Sequence, residues 1–177
     1  MADSHHPDPT CDVAHGLREP EATDRTLVAV FASPVAGHLI RYARDAGYST
    51  VVYDPNEANA HSVNAAGTGT SVVTELPTDL GDTVDVVVTD HHRDELGQVL
   101  KDALGTKARW IGVLGNPRHP GPHIEALAAL GVPEHEIARV HRPVGLNIGS
   151  RTPPEIAIST LAGLLADRNG RPGGFEF

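Results

Sequence analysis

Five consecutive apolar residues, Leu27-Val28-Ala29-Val30-Phe31, leave no polar side chain for a solvent-facing sheet surface. A short run of that kind is a strand covered on both faces, the condition of a parallel sheet sandwiched between helices. The rest of the chain keeps to that constraint. Leu39, Ile40 and Ala43 share a stripe that predicts a helix over about 35–46, and Gly47 stops it. Thr50-Val51-Val52-Tyr53 reads as a second strand, Ser71-Val72-Val73 as a weak one, and the β-branched Val84-Asp85-Val86-Val87-Val88-Thr89 as a strong one. A helix over about 94–104, a strand over 110–114, a helix over about 122–130 and a last helix over about 154–168 follow. Strand and helix alternate throughout. That order implies one three-layer, Rossmann-like α/β domain with a doubly wound parallel sheet.

The folded part is expected to span residues 26–168 of the 177. Residues 1–25 hold six acids (Asp3, Asp8, Asp12, Glu19, Glu21, Asp24), two bases (Arg18, Arg25) and much Pro, His and Ala. Such a segment buries little, so it reads as a flexible N-terminal arm. Residues 169–177 read as a C-terminal tail whose Phe175 and Phe177 could dock on a neighbouring surface. Cys11 is the single cysteine, so neither an internal disulfide nor a zinc–thiolate cluster can form within one chain. No apolar run approaches the roughly 20 residues of a spanning helix, and the N-terminus lacks the charged and apolar regions of a secretory signal. The expectation is a cytoplasmic protein without a membrane segment. A net charge of −9 with no basic run removes nucleic acid from the expected partners.

In a doubly wound sheet, ligands bind beyond the carboxyl ends of the strands, where the strand order reverses. The least regular segments of this chain fall at those ends. The first is Ala32-Ser33-Pro34-Val35-Ala36-Gly37, at the place of a G-x-G-x-x-G phosphate turn. Ala32 and Pro34 replace two of the glycines and Gly37 stands at the third, so NAD(P) is expected to bind weakly. Asp54, twenty-two positions beyond Ala32, suits a ribose hydroxyl, and it also suits a plain turn. Asp90, His91 and His92 close the Val84 strand and offer acid–base or polar contacts; with no third ligand at metal spacing, no metal site is expected. His119 and His123 come from the next loop, where Gly115, Asn116 and Arg118 also lie. Arg118 and Arg151 sit in Gly/Pro loops that can hold a guanidinium fork for an anion, and either could equally be a solvated surface charge. No G-x-S-x-G elbow, Walker loop, HExxH or CxxC occurs.

The stretch Pro143-Val144-Gly145-Leu146-Asn147-Ile148-Gly149-Ser150-Arg151-Thr152-Pro153-Pro154-Glu155-Ile156-Ala157 runs from a glycine loop straight into the last helix. Gly145 and Gly149 allow positive φ or close approach, Thr152 or Pro153 stands at the cap, and Glu155 places a negative charge in the first turn. Within the helix, Ile156, Ile158, Leu161, Leu164 and Leu165 make a broad apolar stripe beside small residues, suited to a core and also to a homodimer face.

Taken together, Ala32–Gly37, Asp54, Thr89–His92, Leu114–Arg118 and Pro143–Ala157 resemble the C-terminal Rossmann domain of the XdhC/CoxI family. The resemblance covers about residues 27–168. It implies an accessory role in maturing a molybdenum hydroxylase of the xanthine dehydrogenase or carbon monoxide dehydrogenase type. On that reading the chain binds a molybdopterin-type cofactor at the sheet edge, protects it through sulfuration and hands it to the target, as a chaperone more than as an enzyme. The implied site residues are Ser33, Pro34, Gly37, Asp54, Asp90, His91, His92, Gly115, Asn116, Arg118, Gly145, Gly149 and Arg151. Its partners are then a molybdenum hydroxylase subunit and a separate chain supplying the family's N-terminal domain, for which only about 25 residues stand here. Two other readings stay open: an NAD(P)-dependent oxidoreductase, and a non-catalytic Rossmann interaction subunit.

Overall fold

In the computed structural model, which describes residues 9–21, 23–59, 70–116 and 118–174, six parallel strands form one sheet in the order β3-β2-β1-β4-β5-β6. The strands are β1 (Thr26–Val30), β2 (Ser49–Tyr53), β3 (Ser71–Val73), β4 (Val84–Val88), β5 (Trp110–Val113) and β6 (Val140–His141). β1 and β4 lie side by side in register from Thr26 opposite Val84 to Val30 opposite Val88. The order runs outward from this pair in both directions, so the reversal point sits beyond Val30 and Val88. That is the doubly wound arrangement the apolar runs predict.

Alternation along β1 divides the core. Val28 and Val30 join one apolar cluster, and Leu27 and Ala29 join the other. On the Leu27 side lie α2 (Pro34–Asp45) and α6 (Pro153–Arg168), which contribute Leu39, Ile40, Ala157 and Leu164. On the Val28 side lie α3 (Leu96–Leu104) and α4 (Pro122–Ala129), through Val99, Leu100 and Leu127. α2 starts as its sequence dictates, with Ser33 Oγ accepting the Ala36 N–H at 3.1 Å and Pro34 in the first turn. At the start of α6, the Glu155 carboxylate accepts the N–H groups of Arg151 (2.7 Å) and Thr152 (3.1 Å).

Three elements have no counterpart in the sequence reading: α1 (Pro9–Ala14), α5 (Glu134–Ile137) and β6. β6 is only two residues long and too short to show a period, while α1 lies inside the acidic arm. α3 begins at Leu96 and not near Asp94, because the preceding residues turn: His92 N–H donates to Asp90 Oδ1 at 2.9 Å. Phe175 and Phe177, the proposed docking residues of the tail, lie outside the described residues, as does Pro117 of the β5 loop. Among the described residues no helix is long and apolar enough to cross a membrane.

Asp85 interrupts the valines of β4 and is fully buried. Its carboxylate accepts Arg109 Nε at Oδ1 and Arg168 Nε at Oδ2, both at 2.8 Å. Arg168 ends α6 and also donates to the carbonyl of Thr83, just before β4, which fixes that end of the helix at the amino edge of the sheet. A 16-residue helix is about 24 Å long, so its first turn reaches the opposite, carboxyl edge.

Candidate functional site

The turn between β1 and α2 is closed from within. Ala32 N–H donates to Asp54 Oδ2 at 2.9 Å, Pro34 has no N–H, and Ala36 N–H is taken by Ser33 Oγ. Ser33 Oγ also meets Thr89 Oγ1 at 2.8 Å, while the Thr89 hydroxyl lies 3.0 Å from the Val30 carbonyl and 2.9 Å from that of Phe31. Ser33 therefore ties the ends of β1 and β4 together, and its hydroxyl is engaged. The tight turn falls at Phe31, a non-glycine residue with φ of 69°. That conformation costs on the order of 1–3 kcal/mol and persists only where its surroundings over-determine it. Here the Phe31 N–H donates to the Tyr53 carbonyl at 2.7 Å, and its ring is fully buried. A Cβ at Gly37 would meet nothing within 4 Å, so this glycine does not serve close packing of α2.

Asp54, at the end of β2, is also fully buried. Besides the Ala32 amide it accepts Asn56 N–H at Oδ1 (2.9 Å), and Arg93 Nη1 and Nη2 reach Oδ2 and Oδ1 at 3.3 Å each. Arg93 lies over Phe31, its guanidinium carbon 4.6 Å from the ring centroid, and Nη2 pairs with Glu95 Oε1 at 2.9 Å. The Glu95 and Asp54 hydrogen bonds hold Arg93 firmly in its charged form, and the Arg93 contact holds the Glu95 carboxyl below its usual range. At this turn the Ala32 amide is already engaged and Pro34 has no N–H, and the Arg93 guanidinium stands against Asp54, where a ribose meets the acid in a dinucleotide fold.

The β4 and β5 loops form the other half of the edge. The His91 and His92 rings lie with their centroids 4.1 Å apart and their planes tilted by 38°. Arg142, which directly follows β6, reaches across the β5 loop, donating to the carbonyls of Asn116 and His119 at 2.8 Å each. Its guanidinium covers Gly115, where a Cβ would come within 2.8 Å of Nη2. A side chain there would push the guanidinium off the loop. Burial, and then the Arg142 charge, holds His123 below its ordinary value of 6.5. Burial also lowers His91, aided by His92 and Arg142 and opposed by Asp90. Both rings are therefore neutral near pH 7. His123 Nδ1 and Arg142 Nε are buried without a hydrogen-bond partner. Asn116 caps its own loop by accepting Arg118 N–H at 3.0 Å, and the Arg118 residue is exposed. Among the described residues no three His, Cys, Asp or Glu groups converge as a metal site.

The 143–152 segment divides. Gly145 (φ 88°) crosses α6 so closely that a Cβ would lie 2.6 Å from Ser159 Oγ and 2.8 Å from the Ser159 backbone. Leu146 N–H donates to the Ser159 carbonyl at 3.0 Å, and Ser159 Oγ donates back to the Leu146 carbonyl. Gly145 is thus a strap over mid-helix, whereas Gly149 (φ 69°) and Arg151 are exposed in the loop before the first turn of α6. A cavity of about 260 Å³ opens beneath the strap, lined by Trp110, His141, Leu146, Gly163 and Arg171 among others; of the predicted site residues only Gly145 borders it. Ser33, Pro34, Asp54, Asp90, His91, His92, Gly115, Asn116 and Arg118 all follow the carboxyl ends of β1, β2, β4 and β5, and Gly37 follows in the first turn of α2. Sequence reasoning missed Arg93 and Arg142. An arginine in the β4 loop of a fold with an acid at the end of β2 was the available signal for Arg93; Arg142, whose targets are backbone carbonyls, has none.

The XdhC Rossmann-domain model matches residues 27–164. The uncharacterised protein YqeB of Escherichia coli (strain K12) is 38% identical over 89 residues, covering 50% of this chain and 16% of YqeB. The crystal structure of a xanthine dehydrogenase from Bacillus halodurans superposes with a TM-score of 0.66 at 23% identity, over 86% of this chain and 45% of that one, a likeness of fold. This chain therefore spans less than half of either relative.

Proposed function

The chain belongs to the XdhC Rossmann-domain family, related to xanthine dehydrogenase maturation factors, and from that premise we propose that it is an accessory protein that binds a molybdopterin-type cofactor for a molybdenum hydroxylase. The observation that carries this reading is the division of the sheet edge. The β1–β2 half is filled by the protein's own groups, and the β4–β5 half presents His91, His92, Asn116 and Arg118 around a loop braced by Arg142. That donor set suits a phosphate-bearing pterin: an exposed guanidinium for the anion, imidazoles for ring heteroatoms, and a backbone loop held in shape. The molybdenum centre, when bound, supplies the target enzyme's chemistry; the residues of this chain hold and orient it.

An NAD(P)-dependent oxidoreductase loses support at Ala32, Pro34 and Asp54, whose phosphate and ribose contacts are engaged or missing. The partners on this reading are the hydroxylase subunit and a separate chain carrying the family's other domain. Mixing the cofactor-loaded chain with a cofactor-free molybdenum hydroxylase tests it. Activation should exceed that given by the same amount of free cofactor. Arg118→Ala should weaken cofactor binding about ten- to a hundredfold, the worth of one charge-assisted hydrogen bond, with an unchanged melting temperature. Activation no better than free cofactor would sink the proposal.

A further inference from the structure

Asp54 carries about four acceptor positions as a carboxylate, and four donors fill them. Two are backbone amides, Ala32 N–H and Asn56 N–H at 2.9 Å, and two are the terminal nitrogens of Arg93 at 3.3 Å. In a doubly wound dinucleotide fold, an acid at the end of the second strand grips the ribose hydroxyls. Here a ribose diol could reach Asp54 only by displacing the guanidinium. It would exchange a two-pronged ion pair for two hydrogen bonds from uncharged hydroxyls. It would also strip Arg93 from the Phe31 face, 4.6 Å away, and from Glu95. The exchange is unfavourable on each count.

We propose that Arg93 is a specificity-determining residue that occupies the ribose subsite of this sheet edge and bars adenine nucleotides from it. The plug is independent of the eroded phosphate turn, because it acts on the ribose and not on the pyrophosphate. It also stands apart from the pterin reading, since it concerns the β1–β2 half of the edge. Removing Arg93 leaves Asp54 held by its two amides with two acceptor positions free, which is the arrangement a ribose diol requires.

Adenosine 5′-monophosphate is the probe, because it needs the ribose subsite and no pyrophosphate turn. Calorimetric titration of the full chain should show no saturation up to about 10 mM, and Arg93→Ala should bind at least tenfold more tightly. Adding Asp54→Asn to that variant should cancel the gain. A folded Arg93→Ala with no gain, a gain that survives Asp54→Asn, or equal binding by the parent would each overturn the proposal. A second measurement does not depend on how well the alanine variant folds. The Arg93 Nε–H resonance, assigned by its loss in Arg93→Lys, should stay in place in the parent protein at about 10 mM nucleotide. A saturable shift of that resonance would overturn the plug.

Discussion

Replacing Gly145 and Gly149 with alanine, one at a time, separates backbone strain from packing in the segment that leads into α6. Both glycines have positive φ, 88° and 69°, so each alanine incurs a similar left-handed penalty of about 1–2 kcal/mol, partly offset by a less flexible unfolded chain. Their surroundings differ. At Gly149 the new methyl meets nothing within 4 Å, whereas at Gly145 it falls 2.8 Å from both the carbonyl carbon and oxygen of Ser159. That carbonyl is held by Leu146 N–H, so it cannot move aside without breaking the strap. Overpacking of this kind adds about 1–3 kcal/mol. Gly145→Ala should therefore be less stable than Gly149→Ala by that amount, or about 2–12 °C in melting temperature for a chain of this size. Urea unfolding followed by the fluorescence of Trp110, the only tryptophan and largely buried, measures both. Equal losses within about 0.5 kcal/mol would refute the close crossing of α6.

Three further outcomes follow from the geometry. Gly37→Ala should stabilise α2 by about 0.5–1 kcal/mol, because its Cβ enters open space and alanine is the better helix former; a loss in thermal unfolding would contradict that space. His123 is held below 6.5 by burial, so the unfolded chain binds its proton first as pH falls. Stability should be full above about 6.5 and decline below it, with a slope of up to about 1.4 kcal/mol per pH unit from this group, and a His123→Gln profile as steep as the parent's would refute the assignment. Asp85→Ala should cost about 3–5 kcal/mol in urea unfolding by leaving Arg109 and Arg168 without their shared carboxylate, and a loss under about 1 kcal/mol would show that they find other partners.

The sheet was legible because a strand buried on both faces has to be apolar at every position, as Val28 to Val30 are and as Val86 to Val88 are. β6 was not, since two residues carry no period and His141 is exposed while stacked on Trp110. The positions of Asp54, His91 and Asn116 followed from topology alone, because every parallel strand delivers its following loop to one edge. What fills that edge did not. Arg93 meets Asp54 across 39 residues and Arg142 meets Asn116 across 26, and neither distance leaves a trace in local spacing. The aligned phosphate-turn positions were also incomplete, for the left-handed residue is Phe31, where a strained backbone is held by contacts from β2 and β4.

The central claim is that one edge of this sheet is closed to nucleotides on its β1–β2 half and open to a phosphate-bearing pterin on its β4–β5 half. Parallel titration of one preparation with NADH and with molybdopterin cytosine dinucleotide, read by calorimetry at a single salt concentration, tests it most directly. The account predicts saturable binding of the pterin and none of NADH, with Arg118→Ala weakening the pterin alone. Sub-micromolar NADH binding together with no pterin binding would contradict it.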